Sequence, residues 1–258
     1  MTPSSTARKQ PGARPVLRFV VPTYGRFRTT GVCLRQLGRT CRTLQDAGLD
    51  AGAVVVGNDE NLMEAEKQDF TTIVQENRPL GRKWNDAYQQ AAREGADFFV
   101  PIGSDDWVDP DIFTRLPEDP REIVCFRRCG MVNPDGSRLA LLDIPYRGGI
   151  GIRVFTREML SQLEFRPAIE RKERAIDTAV LRRLSAPSKM QPKVVYADRH
   201  DKQIVDWKDP RGPQLNTYEA CVPYFQEEIE DPFDALRGFS PPEALAEMYA
   251  VYHEEVAA

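Results

Sequence analysis

Two adjacent carboxylates, Asp105 and Asp106, follow a short apolar run in the stretch FFVPIGSDDW, residues 98–107. Like charges this close raise each other's cost of ionisation unless a cation or hydrogen-bond donors offset it. Carboxylate oxygens suit hard cations such as Mg²⁺ or Mn²⁺, which often bridge one or two carboxylates to a substrate diphosphate. The pair therefore suggests a metal site, although capping of a helix near Asp109 and Asp111 would explain the same residues.

The elements that must position this pair are predicted from hydrophobic period. Four apolar runs predict buried strands: VLRFVVP (16–22), AVVVGND (53–59), FTTIVQEN (70–77) and ADFFVPIG (96–103). Helical spacing predicts helices that end at Gly48 and Gly95. This alternation predicts an α/β fold with a mostly parallel sheet flanked by helices, which binds ligands at the carboxyl ends of its strands. Asp105 and Asp106 lie at such an end.

From about residue 120 the pattern becomes mixed or antiparallel. EIVCFRRCGMV (122–132) and SRLALLDI (137–144) flank NPDG, a turn that predicts a hairpin. FTREMLSQL and AIDTAVLRRL predict helices, and KVVYAD predicts a returning strand. Residues 204–240 have no clear period and predict an irregular wrap, followed by a final helix that packs on the body or on a partner.

Composition and charge narrow the classes of function. The chain has 258 residues, of which 41% are hydrophobic and 29% charged, so we expect one main domain with a sizeable core. A net charge of -4 and a pI near 5.5 provide no general attraction to nucleic acid or anionic membranes, although local basic clusters could still provide one.

Cysteine usage and the termini bear on location. The five cysteines are odd in number and contain no C-x-x-C pair, which argues against a disulfide framework or a thiolate zinc site and favours a reducing cytoplasm. No apolar stretch approaches the roughly 20 residues of a membrane span. Residues 1–15 lack the apolar core of a signal peptide and are predicted to form a disordered tail.

Four motifs occur in order at the predicted strand exits: VVPTYGR, VVVGND, ENRPLGRKWNDA and GSDD. This ordered set resembles the inverting GT-A glycosyltransferases, particularly the family-2-like nucleotide-sugar enzymes. The resemblance implies a GT-A, Rossmann-like fold over residues 16–205. It further implies a nucleotide-sugar-binding half (16–116), an acceptor half (117–205), and a C-terminal wrap and helix (206–258).

The resemblance also implies a donor pocket and a metal site. The donor-binding residues would be Pro22, Thr23, Tyr24, Arg26, Asp59, Asn77, Lys83, Asn85 and Asp105. Asp59 would accept a hydrogen bond from the uracil edge, and Asp106, with Asp105, would bind Mn²⁺ or Mg²⁺. Core packing is the alternative for Tyr24, and turn or helix capping is the alternative for Asn77 and Asn85.

Two departures from the family pattern lie in the donor half. Gly103 stands where the commoner D-x-D-D form has its first carboxylate, although a two-carboxylate S-D-D form also occurs. Gly25 replaces the usual Asn of the first turn. These departures concern the number of metal-binding carboxylates and one donor contact.

On the acceptor side, the resemblance implies a general base and a glycine-rich loop. Asp177 falls at the family's E-D base position, where Ile176 replaces the Glu; a helix N-terminal carboxylate is the alternative. The acceptor loop would contain Gly148, Gly149 and Gly151, which could equally form an ordinary flexible turn. His200 would be a late metal ligand or an exposed loop histidine.

These residues together predict a metal-dependent inverting glycosyltransferase that moves a sugar from a nucleotide sugar, most simply a UDP-sugar, to an acceptor hydroxyl. A nucleotidyltransferase of related fold and a catalytically inactive GT-A-like binding protein are the alternatives. The acceptor is expected on a protein or on modified DNA. The second is suggested by a possible basic surface containing Arg127, Arg128, Arg171, Lys172 and Arg174.

Overall fold

The computed structural model describes residues 13–58, 60–126, 128–143, 152–172, 176–186, 190–196, 204–208, 218–237 and 240–253. The strands are β1 (Val16–Pro22), β2 (Asp50–Gly57), β3 (Thr71–Val74), β4 (Phe98–Pro101), β5 (Asp106–Val108), β6 (Glu122–Cys125), β7 (Arg128–Val132), β8 (Arg138–Asp143), β9 (Arg153–Thr156), β10 (Lys193–Tyr196), β11 (Ile204–Trp207) and β12 (Phe225–Glu230). The α-helices are α1 (Phe27–Asp46), α2 (Asn61–Lys67), α3 (Leu80–Arg93), α4 (Arg157–Ser161), α5 (Ile176–Leu184), α6 (Tyr218–Cys221), α7 (Pro232–Ala235) and α8 (Pro242–His253).

The larger sheet has seven strands in the order β10–β6–β9–β4–β1–β2–β3. β1 is parallel to β2 and β4, and β2 is parallel to β3, as the strand–helix alternation predicts. β9 runs antiparallel to both β4 and β6, so the second half is mixed, also as predicted. The predicted fold class is therefore confirmed.

Helices cover both faces of this sheet. Consecutive residues of β1, such as Phe19 and Val20, belong to two separate core clusters on opposite faces of the sheet. α1 packs Leu34 and Leu37 into the first cluster, and α3 packs Tyr88 into the second. Because both faces are covered, the polar ends of the strands are where a ligand can approach.

The smaller sheet has the order β12–β8–β7–β11–β5. β7 and β8 form the predicted hairpin around residues 133–136. However, the run EIVCFRRCGMV is divided, because its first part is β6 and pairs with β9 and β10 in the larger sheet. The hairpin therefore uses only the second part of the run, since a run longer than a typical strand of about 5–6 residues can serve two sheets.

Two other expectations need correction. FTREMLSQL is not helical throughout, because Phe155 and Thr156 belong to β9 and α4 begins only at Arg157. Thr156 forms the N-cap of α4, and its Oγ1 accepts a hydrogen bond from Met159 N at 3.2 Å. Residues 204–240 are not simply irregular, since they supply β11 and β12 to the smaller sheet. β11 also spans residues 205 and 206, between which the sequence analysis placed a domain boundary. The domain boundary stays a prediction.

The C-terminal helix α8 packs on the body of the protein. Leu245 and Met248 are buried in a third core cluster with Trp107 and Trp207 of the smaller sheet. Among the helices in the described part of the chain, none is both long enough and apolar enough to cross a membrane. All five cysteines are buried, and none of them forms a disulfide bond.

Candidate functional site

The exit of β1 is a sharp turn that brings a cation to the end of β4. Gly25 and Arg26 both have positive φ, 60° and 52°. Glycine adopts this conformation at little cost, and Asn, the usual residue here in the glycosyltransferases that the sequence resembles, is also enriched there. The Arg26 guanidinium forms an ion pair with Asp105 and donates a hydrogen bond to Ser104 Oγ at 2.9 Å. Gly25 therefore keeps a turn that the family's Asn could also form.

Gly103 gives the two neighbouring carboxylates room at the exit of β4. Asp106 Oδ2 accepts a hydrogen bond from Gly103 N at 2.6 Å. A Cβ atom at position 103 would lie 2.8 Å from an oxygen of Asp105 and 2.8 Å from an oxygen of Asp106. A side chain here, such as the first aspartate of a D-x-D-D motif, would have to displace both carboxylates.

A third carboxylate, Asp206, joins this pair from β11. β11 is antiparallel to β5, and Asp206 lies opposite Asp106 in the register. Trp207 N donates a hydrogen bond to Asp105 O at 2.9 Å, which fixes the two segments together. One oxygen from each of the three aspartates lies within 4.8 Å of the others.

Asp206 is held by a buried lysine that the sequence patterns did not single out. Lys208 Nζ donates to Asp206 Oδ2 at 2.5 Å, and both side chains are almost fully buried. Asp206 Oδ1 is buried and has no hydrogen-bond partner among the described residues. Leaving a buried acceptor without a partner costs about 1–3 kcal/mol or more for a charged group, so this oxygen fits a cation ligand.

The charges of the cluster also favour a cation. Burial raises the pKa of the Asp106 carboxyl well above its ordinary value, and the nearby Asp206 and Asp105 charges add to the rise. Burial likewise raises the pKa of Asp206, against the opposing effect of Lys208. Burial alone would lower the pKa of Lys208, but Asp206 and Asp105 raise it to about 12. When all are ionised, three carboxylates face the cations of Arg26 and Lys208.

The donor set consists of carboxylate oxygens, as Mg²⁺ and Mn²⁺ prefer. Asp105, Asp106 and Asp206 would hold such an ion. The signal for Asp206 in the sequence is weak, because IVDW (204–207) is only a short apolar run interrupted by one charge. A charged residue between buried neighbours does, however, require a partner, and that requirement could have marked Asp206.

Three of the predicted donor residues connect strand exits to one another. Lys83 is fully buried, and its Nζ donates to Thr23 O and, at 3.0 Å, to Asn77 Oδ1. The buried Thr23 hydroxyl donates to Val56 O at 3.3 Å. These contacts hold the exits of β1, β2 and β3 together, so they give Lys83 and Thr23 a positioning role. Direct contact with the donor stays a prediction.

Asn85 attaches α3 to a segment from the second half of the chain. Its Nδ2 donates to Ala168 O at 3.1 Å, and its Oδ1 accepts from Ala168 N at 2.9 Å. Nearby, Gly81 N donates to Lys172 O at 2.8 Å, and a Cβ at Gly81 would collide with the carbonyl oxygen of Ile169. We call residues 166–172 the connector. Its backbone lies directly against the start of α3.

The connector also holds the helix that carries the predicted base. Arg183 of α5 donates from Nη1 to the carbonyl oxygens of Pro167 and Ala168 at 2.9 and 3.0 Å. α5 begins at Ile176, so Asp177 is its second residue. The connector thus links α3 to α5. The role of Asp177 as a base stays a prediction.

The mouth of the β1 exit exposes aromatic surface. Tyr24 is 47% exposed and Phe27 is 46% exposed, which argues against the core-packing alternative for Tyr24. Pro22 ends β1 and is partly buried. Asn61 of α2, a helix absent from the sequence-based expectations, donates from Nδ2 to Gly25 O at 3.1 Å and so supports the turn.

Several predicted site residues lie outside the described residues. They are Asp59, Gly148, Gly149, Gly151 and His200. Their predicted roles in uracil recognition, acceptor binding and metal ligation stay predictions. Among the described residues, the structure brings together Arg26, Asp105 and Asp106, and it adds Asp206 and Lys208.

No protein-family model matches the sequence, and a search of curated proteins found no match. Solved structures do match. S. aureus TarS has a TM-score of 0.50 at 13% identity, over 74% of this chain and 36% of TarS. The mannosyltransferase PcManGT from Pyrobaculum calidifontis, in complex with GDP-Man and Mn²⁺, has a TM-score of 0.46 at 14% identity, over 93% of this chain and 71% of that one.

A nucleotidyl-transferring enzyme is also among the similar structures. A cytidylyltransferase from Leptospira borgpetersenii has a TM-score of 0.45 at 15% identity, over 95% of this chain and 99% of that one. Identities this low bear on the fold and not on the reaction. By its sheet order, helix arrangement and similarity to TarS, this chain has a GT-A fold.

Proposed function

We propose that this chain is a metal-dependent inverting glycosyltransferase that uses a nucleotide sugar, most simply a UDP-sugar. One observation carries the proposal. Asp105, Asp106 and Asp206 converge within 4.8 Å at the polar end of a GT-A sheet, and one buried oxygen of Asp206 lacks a partner among the described residues. A cation bound there would lie where an open α/β sheet binds its ligand.

The reaction requires stabilisation of a leaving group. Cleavage of the sugar–phosphate bond develops negative charge on the nucleoside diphosphate, and bound Mn²⁺ or Mg²⁺ supplies Lewis-acid stabilisation of that charge. In this chain, Arg26 and Lys208 hold Asp105 and Asp206 in place for the ion. The exposed ring of Tyr24 offers a stacking surface to the base, and Asp59 would accept a hydrogen bond from the uracil edge.

The acceptor hydroxyl requires a base. We assign this role to Asp177, the second residue of α5. Its carboxylate would take the hydroxyl proton while the oxygen attacks the anomeric carbon opposite the diphosphate. A single displacement of this kind inverts the anomeric configuration.

The acceptor itself is a weaker part of the proposal. Arg171 and Lys172 lie on the connector, whereas Arg128 lies on β7 in the smaller sheet, so these residues come from separate parts of the fold. A polyanionic acceptor such as modified DNA would bind less tightly as salt rises, while UDP binding would change little. A protein acceptor recognised without a cluster of phosphates would show no such steep dependence.

Product identity tests the proposed reaction. The protein with Mn²⁺ is incubated with a panel of nucleotide sugars and with nucleoside triphosphates plus sugar phosphates, and ³¹P nuclear magnetic resonance follows the products. We expect release of a nucleoside diphosphate from one nucleotide sugar. Pyrophosphate release from a triphosphate would instead establish a nucleotidyltransferase. Neither reaction with any donor, despite donor binding, would favour the inactive binding protein.

A further inference from the structure

The C-terminal helix α8 reaches the strand that carries the third carboxylate. Tyr252 Oη donates a hydrogen bond to Lys208 O at 2.7 Å. Lys208 directly follows β11, and its ammonium group holds Asp206. A single residue therefore connects the tyrosine hydroxyl to a carboxylate of the site.

The Tyr252 ring belongs to an aromatic cluster behind the carboxylates. Its centroid lies 5.9 Å from that of Trp207, which lies 4.7 Å from that of Trp107. Each tryptophan is next in sequence to an aspartate of the cluster, Asp206 or Asp106. Successive side chains of a strand point to opposite faces, so the tryptophans support the face away from the carboxylates.

The turn between β7 and β8 is shaped to receive this tyrosine. Gly136 has φ of 71°, and a Cβ added there would lie 2.7 Å from Tyr252 Cδ1. The predicted hairpin turn thus needs glycine for its backbone and also for the close approach of the α8 ring. The position of Tyr252 is therefore restricted by its ring as well as by its hydroxyl.

α8 is also attached to the element that delivers the other cation of the site. Glu247 forms an ion pair with Arg35 of α1 at 2.8 Å, and Ala250 O accepts a hydrogen bond from Arg28 at 3.4 Å. α1 begins immediately after Arg26. α8 thus contacts both segments whose cations pair with the aspartates.

We propose that α8 positions the metal-binding carboxylates, with Tyr252 as the positioning residue. This inference rests on the proposed function. The Tyr252 hydroxyl fixes the backbone of Lys208, which fixes the orientation of Asp206. Groups that orient a metal ligand typically change metal affinity by about 10- to 100-fold when they are removed. Tyr252 acts one residue further away, so its effect is smaller.

The test compares Tyr252→Phe with Tyr249→Phe in the full chain. Tyr249 lies on the same helix and is about half exposed, so it is a matched control. Isothermal titration calorimetry measures the Mn²⁺ dissociation constant without nucleotide, and denaturant unfolding in EDTA measures the stability of the metal-free protein. We expect roughly fivefold weaker Mn²⁺ binding for Tyr252→Phe, comparable to one lost hydrogen bond, and no change for Tyr249→Phe.

The outcomes separate this inference from the proposed function. If the wild type binds Mn²⁺ and Tyr252→Phe only lowers stability, leaving the dissociation constant at the wild-type value, the tyrosine is merely structural and the inference is wrong. Equal losses of Mn²⁺ affinity in both variants would also overturn it. If the wild type binds no Mn²⁺ at all, the metal site of the proposed function fails with it.

Discussion

The site contains two pairs of a carboxylate and a protein cation, Arg26 with Asp105 and Lys208 with Asp206, and the two pairs are built differently. The first pair is made by local turns at the exits of two neighbouring parallel strands. The second depends on a short antiparallel strand and on contacts from the C-terminal helix. The first pair therefore depends on two neighbouring strands of the larger sheet, whereas the second can also be changed by substitutions in the C-terminal helix.

This difference indicates how the site can be divided experimentally. Residues that hold the ion should change metal and donor binding, residues that only position loops should change stability, and the base should change the rate alone.

The largest effect is expected for Asp177→Asn. This variant distinguishes the effect of the base on the rate from the effect of the two cation–carboxylate pairs on binding. The amide keeps the volume of the side chain but cannot accept the proton, so transfer should slow by roughly 10²- to 10⁴-fold. Donor affinity should remain near that of the wild type, because the lost interaction belongs to the transition state. Single-turnover kinetics and UDP titration measure the two quantities. Near wild-type turnover would remove Asp177 from the role.

A smaller effect is expected for Asp206→Asn. Its Mn²⁺ dissociation constant should rise by at least about tenfold, because loss of a ligand should cost no less than loss of a group that orients one. Asp46→Asn, at the end of α1, is the control. His200→Ala, measured in parallel, decides whether the predicted histidine also binds the ion. If Asp206→Asn binds Mn²⁺ like the wild type while His200→Ala does not, the third ligand is the histidine and the cluster assignment is wrong.

Gly103→Ala tests the space around the first pair. The new Cβ would lie 2.8 Å from oxygens of Asp105 and Asp106, so we expect a loss of about 1–3 kcal/mol in unfolding free energy and weaker Mn²⁺ binding. Gly31→Ala is the matched control, since its Cβ would meet its first neighbour at 3.5 Å within α1. Helical Gly→Ala is ordinarily stabilising by roughly 0.5–1 kcal/mol. Equal stability changes in the two variants would contradict the crowding.

The smallest effect on ligand binding is expected for Asn85→Ala. This change leaves the backbone N–H of Ala168 without its partner, while Ala168 O keeps its hydrogen bond from Arg183, so we expect a cost of about 1–3 kcal/mol of stability. Chemical denaturation measures that cost, and titration of the folded variant should give a UDP affinity close to that of the wild type. A large loss of UDP affinity with little loss of stability would instead make Asn85 a donor ligand, as the family resemblance implies.

The strand exits that carry the first pair can be predicted from the sequence, because their determinants are local. Buried parallel strands appear as continuous apolar runs, and the polar residues that follow them must lie at one edge of the sheet. For that reason Asp105 and Asp106 could be assigned to the ligand-binding edge before any coordinates, whereas the role of Arg26 was implied only by the family resemblance. The same reasoning predicts that β1 to β4 belong to a mostly parallel sheet.

The second pair could not be predicted in this way. β11 has four residues, and its partners β5 and β7 are distant in sequence, so no local period marks it. For the same reason, the sequence pattern did not show that the run of residues 122–132 is divided between two sheets. The internal hydrogen bonds of Lys83 and Asn85 were also not predicted, because an internal hydrogen bond and a ligand contact require the same types of polar residue.

We infer that the two pairs together hold a divalent cation that binds the donor diphosphate. Calorimetric titration of UDP into wild type and Asp206→Asn, each with Mn²⁺ and with EDTA, measures the contribution of that cation. We predict that Mn²⁺ strengthens UDP binding by at least about tenfold in the wild type and that Asp206→Asn abolishes most of this gain. Equal UDP affinity with Mn²⁺ and with EDTA in the wild type would contradict the account.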